Sequence, residues 1–235
     1  MDPSQFFDRH AGEYHGTDAG MRAVHELSAQ HIEEGIAGRV LSVGGMWPRH
    51  SQEVISNLDL TVADVSAEML RPHREAGLST ALDDARALSF SDASFDHVVL
   101  PLVLHHITDQ SWIAARREVH KVLAEVRRVL KRAGRVWISE LSVSRAIYWT
   151  EALAAPFTRL VLGFADIPLV VMHSAEFYRS ALRRESFGDL HSYYPDPPGG
   201  SWHDPIRPII GLPWLKVPRA FYPVRPLVLS ATAAR

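Results

Sequence analysis

Glycines and acidic residues in the first half of this sequence have the types and spacing of a ligand site. Gly44 and Gly45 follow an apolar run, Asp64 ends the next apolar run 20 residues after Gly44, and Asp84 follows a third run. Glycine tolerates positive φ, so the pair predicts a tight strand-to-helix turn whose N–H groups face a ligand. A carboxylate at the position of Asp64 is suited to accept hydrogen bonds from ribose hydroxyls. The pattern predicts a nucleotide or nucleoside site.

The residues after the glycine pair make a dinucleotide the weaker prediction. Met46, Trp47 and Pro48 stand where the G-x-G-x-x-G pattern would place further small residues. Their bulk occupies the space that a pyrophosphate needs.

Two adjacent histidines, His105 and His106, follow the fourth predicted strand. Open α/β sheets bind ligands at the carboxyl edge, and a neutral histidine there can take a proton from a substrate hydroxyl or acid. We therefore predict His105 and His106 as catalytic candidates, with a purely structural role as the alternative. The 13 histidines include no pair at H-x-x-x-H or H-E-x-x-H spacing within a plausible ligand set, so no metal site is predicted.

Composition narrows the class of protein. A chain of 235 residues with 46% hydrophobic and 22% charged residues suits one globular domain, here residues 1–235. The net charge of −2 argues against nucleic-acid and anionic-membrane partners. A local group of basic residues predicts a solvated helix face: Arg116, Arg117, Arg127, Arg128, Lys131 and Arg132.

The chain has no cysteine, which excludes disulfides, thiolate metal sites and cysteine nucleophiles. The first ten residues lack the basic start and apolar run of a signal peptide, and no apolar run reaches about 18 residues. We expect a soluble, untargeted, cytoplasmic protein.

Hydrophobic periodicity and turn residues predict seven strands alternating with helices. The predicted strands are 39–43, 60–65, 80–82, 95–102, 135–141, 190–194 and 227–231. The predicted helices are 18–36, 51–58, 66–74, 112–131 and 174–184. This alternation predicts an α/β fold with a Rossmann-like, doubly wound, mostly parallel seven-stranded sheet.

Residues 142–173 interrupt the alternation with an apolar and aromatic pattern. We predict a helical lid insertion here, with Tyr148, Trp149 and His173 contacting the substrate. Ordinary helix packing and a dimer contact are the alternatives. The proline-rich stretch 195–226 predicts an extended connection before the last strand.

Several motifs between residues 7 and 141 recur in a known order. They are F-D-x-x-A-x-x-Y at 7–14, DVSAEML at 64–70, DARALSFSDASFDHVV at 84–99, VLHHI at 103–107 and RRVLKRAGRVWISE at 127–140. This order resembles the class I S-adenosylmethionine-dependent methyltransferases, in particular the small-molecule type 11 group.

The resemblance implies roles for individual residues in binding S-adenosylmethionine. Tyr14 would help hold the methionine carboxylate, Gly44 with Gly45 would pass under the sugar and methionyl group, and Asp64 would bind ribose. Three further residues would recognise adenine. Asp84 would contact the adenine amino group, Ala85 would donate a backbone N–H, and Met69 would pack on the ring. The predicted cofactor contacts also include Met46, Val65, Leu100 and Pro101.

The sequence departs from this family at the glycine turn. Ser42, Met46 and Pro48 occupy the places of an acidic residue and of the second and third glycines, and the RVLKPGG signature is RVLKRAG here. Either other residues compensate, or the cofactor is held differently.

The leading functional hypothesis is transfer of a methyl group to a small, partly aromatic or apolar acceptor, with a slight preference for oxygen. A sulfonium methyl is already activated, so alignment alone can supply much of the rate and a base is not obligatory. One alternative is a cyclase or lyase that releases methylthioadenosine from the cofactor. Another is a catalytically silent binding subunit. We expect a monomer or homodimer with no nucleic-acid or membrane partner.

Overall fold

The computed structural model describes residues 5, 7–9, 11, 19–44, 55–108, 111–154, 170–195 and 224–234. Seven strands in these ranges form one sheet in the order β3-β2-β1-β4-β5-β7-β6. Their bounds are β1 Arg39–Val43, β2 Asp59–Asp64, β3 Ser79–Leu82, β4 Phe95–Pro101, β5 Leu130–Val143, β6 Phe187–Tyr193 and β7 Val224–Ala233.

Helices lie between these strands. They are α1 Ala19–Glu33, α2 Ala67–Glu75, α3 Trp112–Val129, α4 over residues 145–154 and α5 Ala175–Arg184, with a 3₁₀ turn at Leu104–His106. Three of them begin at a serine, Ser66, Ser111 or Ser174, whose hydroxyl accepts the N–H three residues on. Such caps satisfy a backbone donor that the helix itself leaves unpaired. No helix in the described ranges is long and apolar enough to cross a membrane.

The pairing of the strands confirms the predicted fold class. The pairs among β1 to β5 are all parallel, and β7 pairs antiparallel with both β5 and β6. The chain builds outward from β1 to β2 and β3, and then returns to place β4 on the other side of β1. The crevice between β1 and β4 is therefore the point where open α/β sheets bind ligands.

Both faces of the sheet are buried. Leu41 and Val43 of β1 pack into the larger core cluster with α3 and α5, whereas Val40 packs with Ile32 of α1 and Leu70 of α2. This alternation follows the two-residue period of a strand, and it explains why the central strands are apolar throughout.

The boundary between α3 and β5 differs from the predicted one. The predicted helix over 112–131 ends at Val129, and β5 begins at Leu130 instead of after Gly134. Carbonyls of Arg128 and Val129 accept N–H groups from the loop before β4, which ends the helix early. Ala133 then turns the chain with a φ of 61°.

The segment predicted as a lid is only partly described. Residues 142–143 continue β5, 145–154 are helical and 170–173 are extended. Most of the predicted proline-rich connection, residues 196–223, lies outside the described residues. The lid therefore stays a prediction.

Candidate functional site

Asp64 lies at the carboxyl end of β2, beside the crevice between β1 and β4. Its Oδ1 accepts the Ser66 N–H at 2.8 Å, which fixes the carboxylate in the turn that leads into α2. The same serine donates its hydroxyl to Asp8 at 2.5 Å and caps α2 through Met69 N. Asp8 thus ties the N-terminal segment (residues 5, 7–9 and 11) to this turn.

Burial sets the ionisation of Asp64. Its side chain is 8% exposed, and desolvation raises its pKa to about 6, opposed by the N–H groups of Ser66 and Val65. The negative charge of Asp8 raises the pKa slightly further. No cation in the described part of the chain pairs with Asp64. A buried carboxylate without a cation is suited to accept hydroxyl donors from a ligand.

Gly44 makes the turn at the end of β1 with a φ of 104°. A Cβ at this position would lie 2.7 Å from Val103 Cβ, so only glycine lets the β1 turn pack against the loop after β4. Its N–H donates to the Ala63 carbonyl at 2.8 Å. The prediction that the Gly44 N–H faces a ligand is therefore wrong, because that donor holds β1 against β2.

Asp84 follows β3 and forms an ion pair with Arg86. Arg86 Nη2 lies 2.7 Å from Asp84 Oδ2, and this hydrogen bonding lowers the pKa of the carboxyl group. Asp84 is half-buried, whereas the neighbouring Ala85 and Met69 are buried. These three residues lie together with Asp64 at the edge of β2 and β3, where the resemblance places the adenosine.

The end of β4 bends sharply. Pro101 ends the strand one residue before the predicted bound, and Leu102 adopts a φ of 53°, which is unusual for a residue with a Cβ. Its N–H donates to the Ser139 carbonyl at 2.8 Å, and the 3₁₀ turn follows. The Leu100 side chain is fully buried in the larger core cluster, so the predicted cofactor contact there would involve backbone atoms.

This bend brings His105 onto the Glu140 carboxylate of β5. His105 Nδ1 lies 2.8 Å from Glu140 Oε2, while Oε1 accepts the Leu104 N–H at 2.7 Å and the His105 N–H at 3.3 Å. Glu140 is 1% exposed. An ionised carboxylate can only accept, so Nδ1 carries the hydrogen and Nε2 of neutral His105 is an acceptor.

His106 lies between His105 and the N-terminal segment. Its ring centroid is 4.1 Å from that of His105 and 5.1 Å from that of Phe7, whose ring meets it edge-on. Desolvation, and then the neighbouring His105, hold the pKa of His106 well below its ordinary value. His106 is thus a neutral ring packed between the His105 and Phe7 rings.

Two of the three predicted substrate residues come together. His173 is fully buried, and its ring centroid lies 5.9 Å from that of Tyr148. Burial lowers the pKa of His173 to about 3, helped by the charge of Arg116. Trp149 is 55% exposed, on the outer side of α4. Val171 N donates to the His105 carbonyl at 3.0 Å, which joins this aromatic group to the 3₁₀ turn.

Three predicted cofactor residues lie outside the described residues: Tyr14, Gly45 and Met46. Two residues of the site have no predicted role, Glu140 and Arg116. Glu140 belongs to the RVWISEL run, and a carboxylate at the end of a buried strand is a signal that could have identified it. Arg116 was predicted on a solvated face, but its guanidinium lies over the rings of Tyr148 and Phe177.

The residues at this edge fit an adenosyl cofactor. Asp64 offers a buried acceptor, and Ser42 has a buried Oγ with no hydrogen-bond partner in the described ranges. A buried hydroxyl of this kind is stabilised when a ligand supplies the missing partner.

Comparisons with known proteins agree with this arrangement. A family model described as a methyltransferase domain matches residues 41–138, which span β1 to most of β5. No curated protein sequence matches the chain.

Solved structures share the fold at low sequence identity. A chain from the complex between the Haloferax volcanii Trm112 methyltransferase activator and a methyltransferase is 19% identical, with a TM-score of 0.66 over 97% of this chain and 98% of that chain. Haemonchus contortus phosphoethanolamine N-methyltransferase 2 is 17% identical, with a TM-score of 0.61 over 100% of this chain and 61% of that chain. The [4+2]-cyclase SpnF is 17% identical, with a TM-score of 0.57 over 88% of this chain and 79% of that chain.

Proposed function

Because this chain is a class I S-adenosylmethionine-dependent methyltransferase, we propose that it methylates a hydroxyl oxygen of a small, partly aromatic acceptor. The observation that carries the oxygen preference is the His105–Glu140 pair, since a hydroxyl loses a proton during methylation and a buried histidine with a fixed tautomer is suited to accept it.

The residues proposed to hold the cofactor follow the resemblance. Asp64 binds the ribose hydroxyls, while Asp84, Ala85 and Met69 surround the adenine. The remaining cofactor contacts are proposed for Tyr14, Gly44, Gly45, Met46, Val65, Leu100 and Pro101. When bound, S-adenosylmethionine supplies an activated methyl group.

The proposed proton transfer uses the free nitrogen of His105. Glu140 holds Nδ1–H, so Nε2 takes the proton of the acceptor hydroxyl, and the imidazolium formed is stabilised by the carboxylate. His106 and Phe7 exclude water beside it. Tyr148 and His173 form the aromatic wall against which the acceptor packs, and Trp149 lies at its rim.

The experiment that tests this function uses methyl-labelled cofactor and a panel of phenols, carboxylic acids and amines. We expect S-adenosylhomocysteine and a labelled methyl ether in equal amounts. His105→Asn keeps a donor toward Glu140 but removes the Nε2 acceptor, and it should lower kcat by roughly 10². Methylated amines without ethers would overturn the oxygen preference.

The same experiment separates the two alternatives. Methylthioadenosine formed from cofactor alone would identify cyclase or lyase chemistry, the alternative that the altered glycine turn suggests. Absence of cofactor binding in calorimetry would identify a silent binding subunit.

The oligomeric state is proposed to be a monomer or homodimer. The likeness to a chain crystallised with a methyltransferase activator makes a heteromeric complex the competing outcome. Light scattering of the purified full chain, with and without cofactor, measures its mass directly.

A further inference from the structure

Arg116 of α3 projects onto the aromatic group proposed to contact the acceptor. Its Cζ lies 4.5 Å from the Phe177 ring centroid and 5.6 Å from that of Tyr148. Burial raises the pKa of Tyr148, and the neighbouring Arg116 opposes this shift. The two rings therefore fix the orientation of the guanidinium.

No carboxylate in the described ranges neutralises Arg116. Nearby carboxylates are engaged elsewhere: Glu118 pairs with Lys121 at 2.7 Å and with Arg86 at 3.6 Å, and Glu140 pairs with His105. Glu151 of α4 is half-buried, and desolvation alone raises its pKa, without a contribution from Arg116. Among the described residues, the half-buried guanidinium of Arg116 therefore has no carboxylate as counter-ion.

Two other polar groups beside Arg116 lack acceptors. His173, fully buried against the same Tyr148 and Phe177 rings, has no hydrogen-bond partner at either ring nitrogen within the described residues. Trp112 lies one helical turn before Arg116, in one buried cluster with Tyr148, and its Nε1–H is likewise unpaired there. Buried donors normally have partners, so this group calls for an oxygen-bearing ligand.

We infer that Arg116, with His173 and Trp112 beside it, forms a subsite for an anionic oxygen group of the acceptor, such as a carboxylate or a phosphate monoester. This inference rests on the proposed methyl transfer, and it narrows the acceptor to a molecule that carries both an aromatic or apolar body and an anionic group. The guanidinium fork matches such an oxygen pair, and the two rings pack on the body.

The carboxylate could instead be that of the cofactor's methionyl group, which has the same chemistry. Replacement of Arg116 distinguishes the two sources by its effect on the affinity for S-adenosylhomocysteine. An acceptor subsite leaves the affinity for S-adenosylhomocysteine unchanged when Arg116 is replaced, whereas a cofactor subsite does not.

The test is calorimetric titration of the full chain, saturated with S-adenosylhomocysteine, with four probes: benzoate, phenyl phosphate, benzamide and phenol. We expect one of the two anions to bind at least about tenfold more tightly than benzamide, as for a charge-assisted hydrogen bond. Arg116→Gln should remove this preference, and Arg116→Met, which keeps the apolar stem, should do the same. Arg117→Gln, an exposed neighbour on the same helix, is the matched control and should keep it.

Equal binding of the charged and neutral probes, no binding by either anion, or a preference that survives Arg116→Gln would each overturn the subsite. A loss of S-adenosylhomocysteine affinity in Arg116→Gln, with that of Arg117→Gln unchanged, would assign the carboxylate to the cofactor and also overturn it. Failure of the wild-type chain to bind S-adenosylhomocysteine would count against the proposed function, and the four probes titrated alone would still measure the anion preference.

Discussion

At the scale of single residues, the buried carboxylate of Asp64 lowers the stability of the folded protein when it is ionised. Its pKa rises from 3.8 to about 6 in the fold, so the folded state binds the proton more tightly than the unfolded state. The stabilisation from the protonated form is complete below pH 4 and is lost as pH rises through 6. The charged side chain then lowers the free energy of unfolding by about 3 kcal/mol.

Asp64→Asn should therefore stabilise the ligand-free protein at pH 7.5 by up to about 3 kcal/mol, with the gain vanishing near pH 4. The same change should weaken S-adenosylhomocysteine binding, because the amide cannot accept from two hydroxyls as a carboxylate does. Urea unfolding at several pH values and calorimetry measure both effects. Asp59→Asn, an exposed position at the start of β2, is the control that should show neither.

Glu140 is proposed to position the His105 ring. Its replacement distinguishes this role from a contribution to stability alone. Glu140→Gln turns an NH₂ toward N–H donors, so the free energy of unfolding should fall by about 1–3 kcal/mol. We expect kcat to fall at least tenfold with unchanged affinity for the cofactor. Nitrogen NMR of labelled histidine should show that His105 no longer has a single Nδ1–H tautomer.

A half-buried histidine and glutamate pair supplies the control for that experiment. His120 Nδ1 lies 2.8 Å from Glu185 Oε1, which follows the end of α5 and is not part of the His105–Glu140 pair. Glu185→Gln should leave kcat within twofold, by the additivity of distant sites. An equal loss of kcat in both variants would show that only stability had changed.

Some site residues could be predicted from sequence and others could not. Asp64 and His105 follow apolar runs, so their places at the carboxyl edge follow from strand order alone. Arg116 has neighbours of like charge in sequence, and only the packing of α4 and α5 shows that it turns onto aromatic rings. The Gly44 N–H was predicted to face a ligand, but the sequence does not show that Ala63 lies within its reach.

At the scale of elements, the β1 turn and the loop after β4 fit each other only at a glycine. Gly44→Ala adds both a strained φ and an overlap of the new Cβ with Val103. Gly77→Ala is the matched control, since Gly77 has a φ of 80° but open space around it. We expect Gly44→Ala to cost at least about 2 kcal/mol more than Gly77→Ala.

Adding Val103→Ala to Gly44→Ala should recover part of the lost free energy of unfolding, measured by urea unfolding. Adding it to Gly77→Ala should recover none. Equal costs for the two glycine variants would contradict the close approach of β1 and the β4 loop. Cofactor affinity measured on the double variant would show whether this contact also shapes the binding edge.

The α3–β5 boundary shows why element ends are hard to predict. Helical periodicity continues past Val129 in the sequence, but hydrogen bonds from the loop before β4 end the helix there. Ala133 then occupies a left-handed conformation, where the resembling family has glycine. Long-range contacts of this kind leave no mark in local periodicity.

Ala133→Gly should stabilise the protein by about 1 kcal/mol, because glycine adopts a φ of 61° without the penalty of a Cβ. The same replacement at Ala124, exposed in the middle of α3, should destabilise it by about 1 kcal/mol. Thermal unfolding of both variants measures the difference. Loss of stability at position 133 would refute the strain argument.

At the scale of the whole molecule, the N-terminal segment connects parts of the chain that are far apart in sequence. Asp8 accepts the Ser66 hydroxyl, and the Phe7 ring meets His106, so the segment spans the edge from β2 to the loop after β4. The proposed cofactor position lies between these two contacts. Binding there should therefore favour the closed segment.

Trypsin cleavage after Arg9 measures this coupling, since the exposed Arg9 becomes a substrate only when the helical segment opens. With S-adenosylhomocysteine at 100 times its Kd, cleavage after Arg9 should slow by up to about 100-fold. Cleavage after Arg184, exposed at the end of α5, should keep its rate, because that helix end lies at the opposite edge of the sheet. Equal slowing at both sites would indicate global stabilisation, and unchanged cleavage after Arg9 would contradict coupling between the segment and the site. Asp8→Asn, which weakens the link to Ser66, should raise the rate without ligand and reduce the protection by ligand.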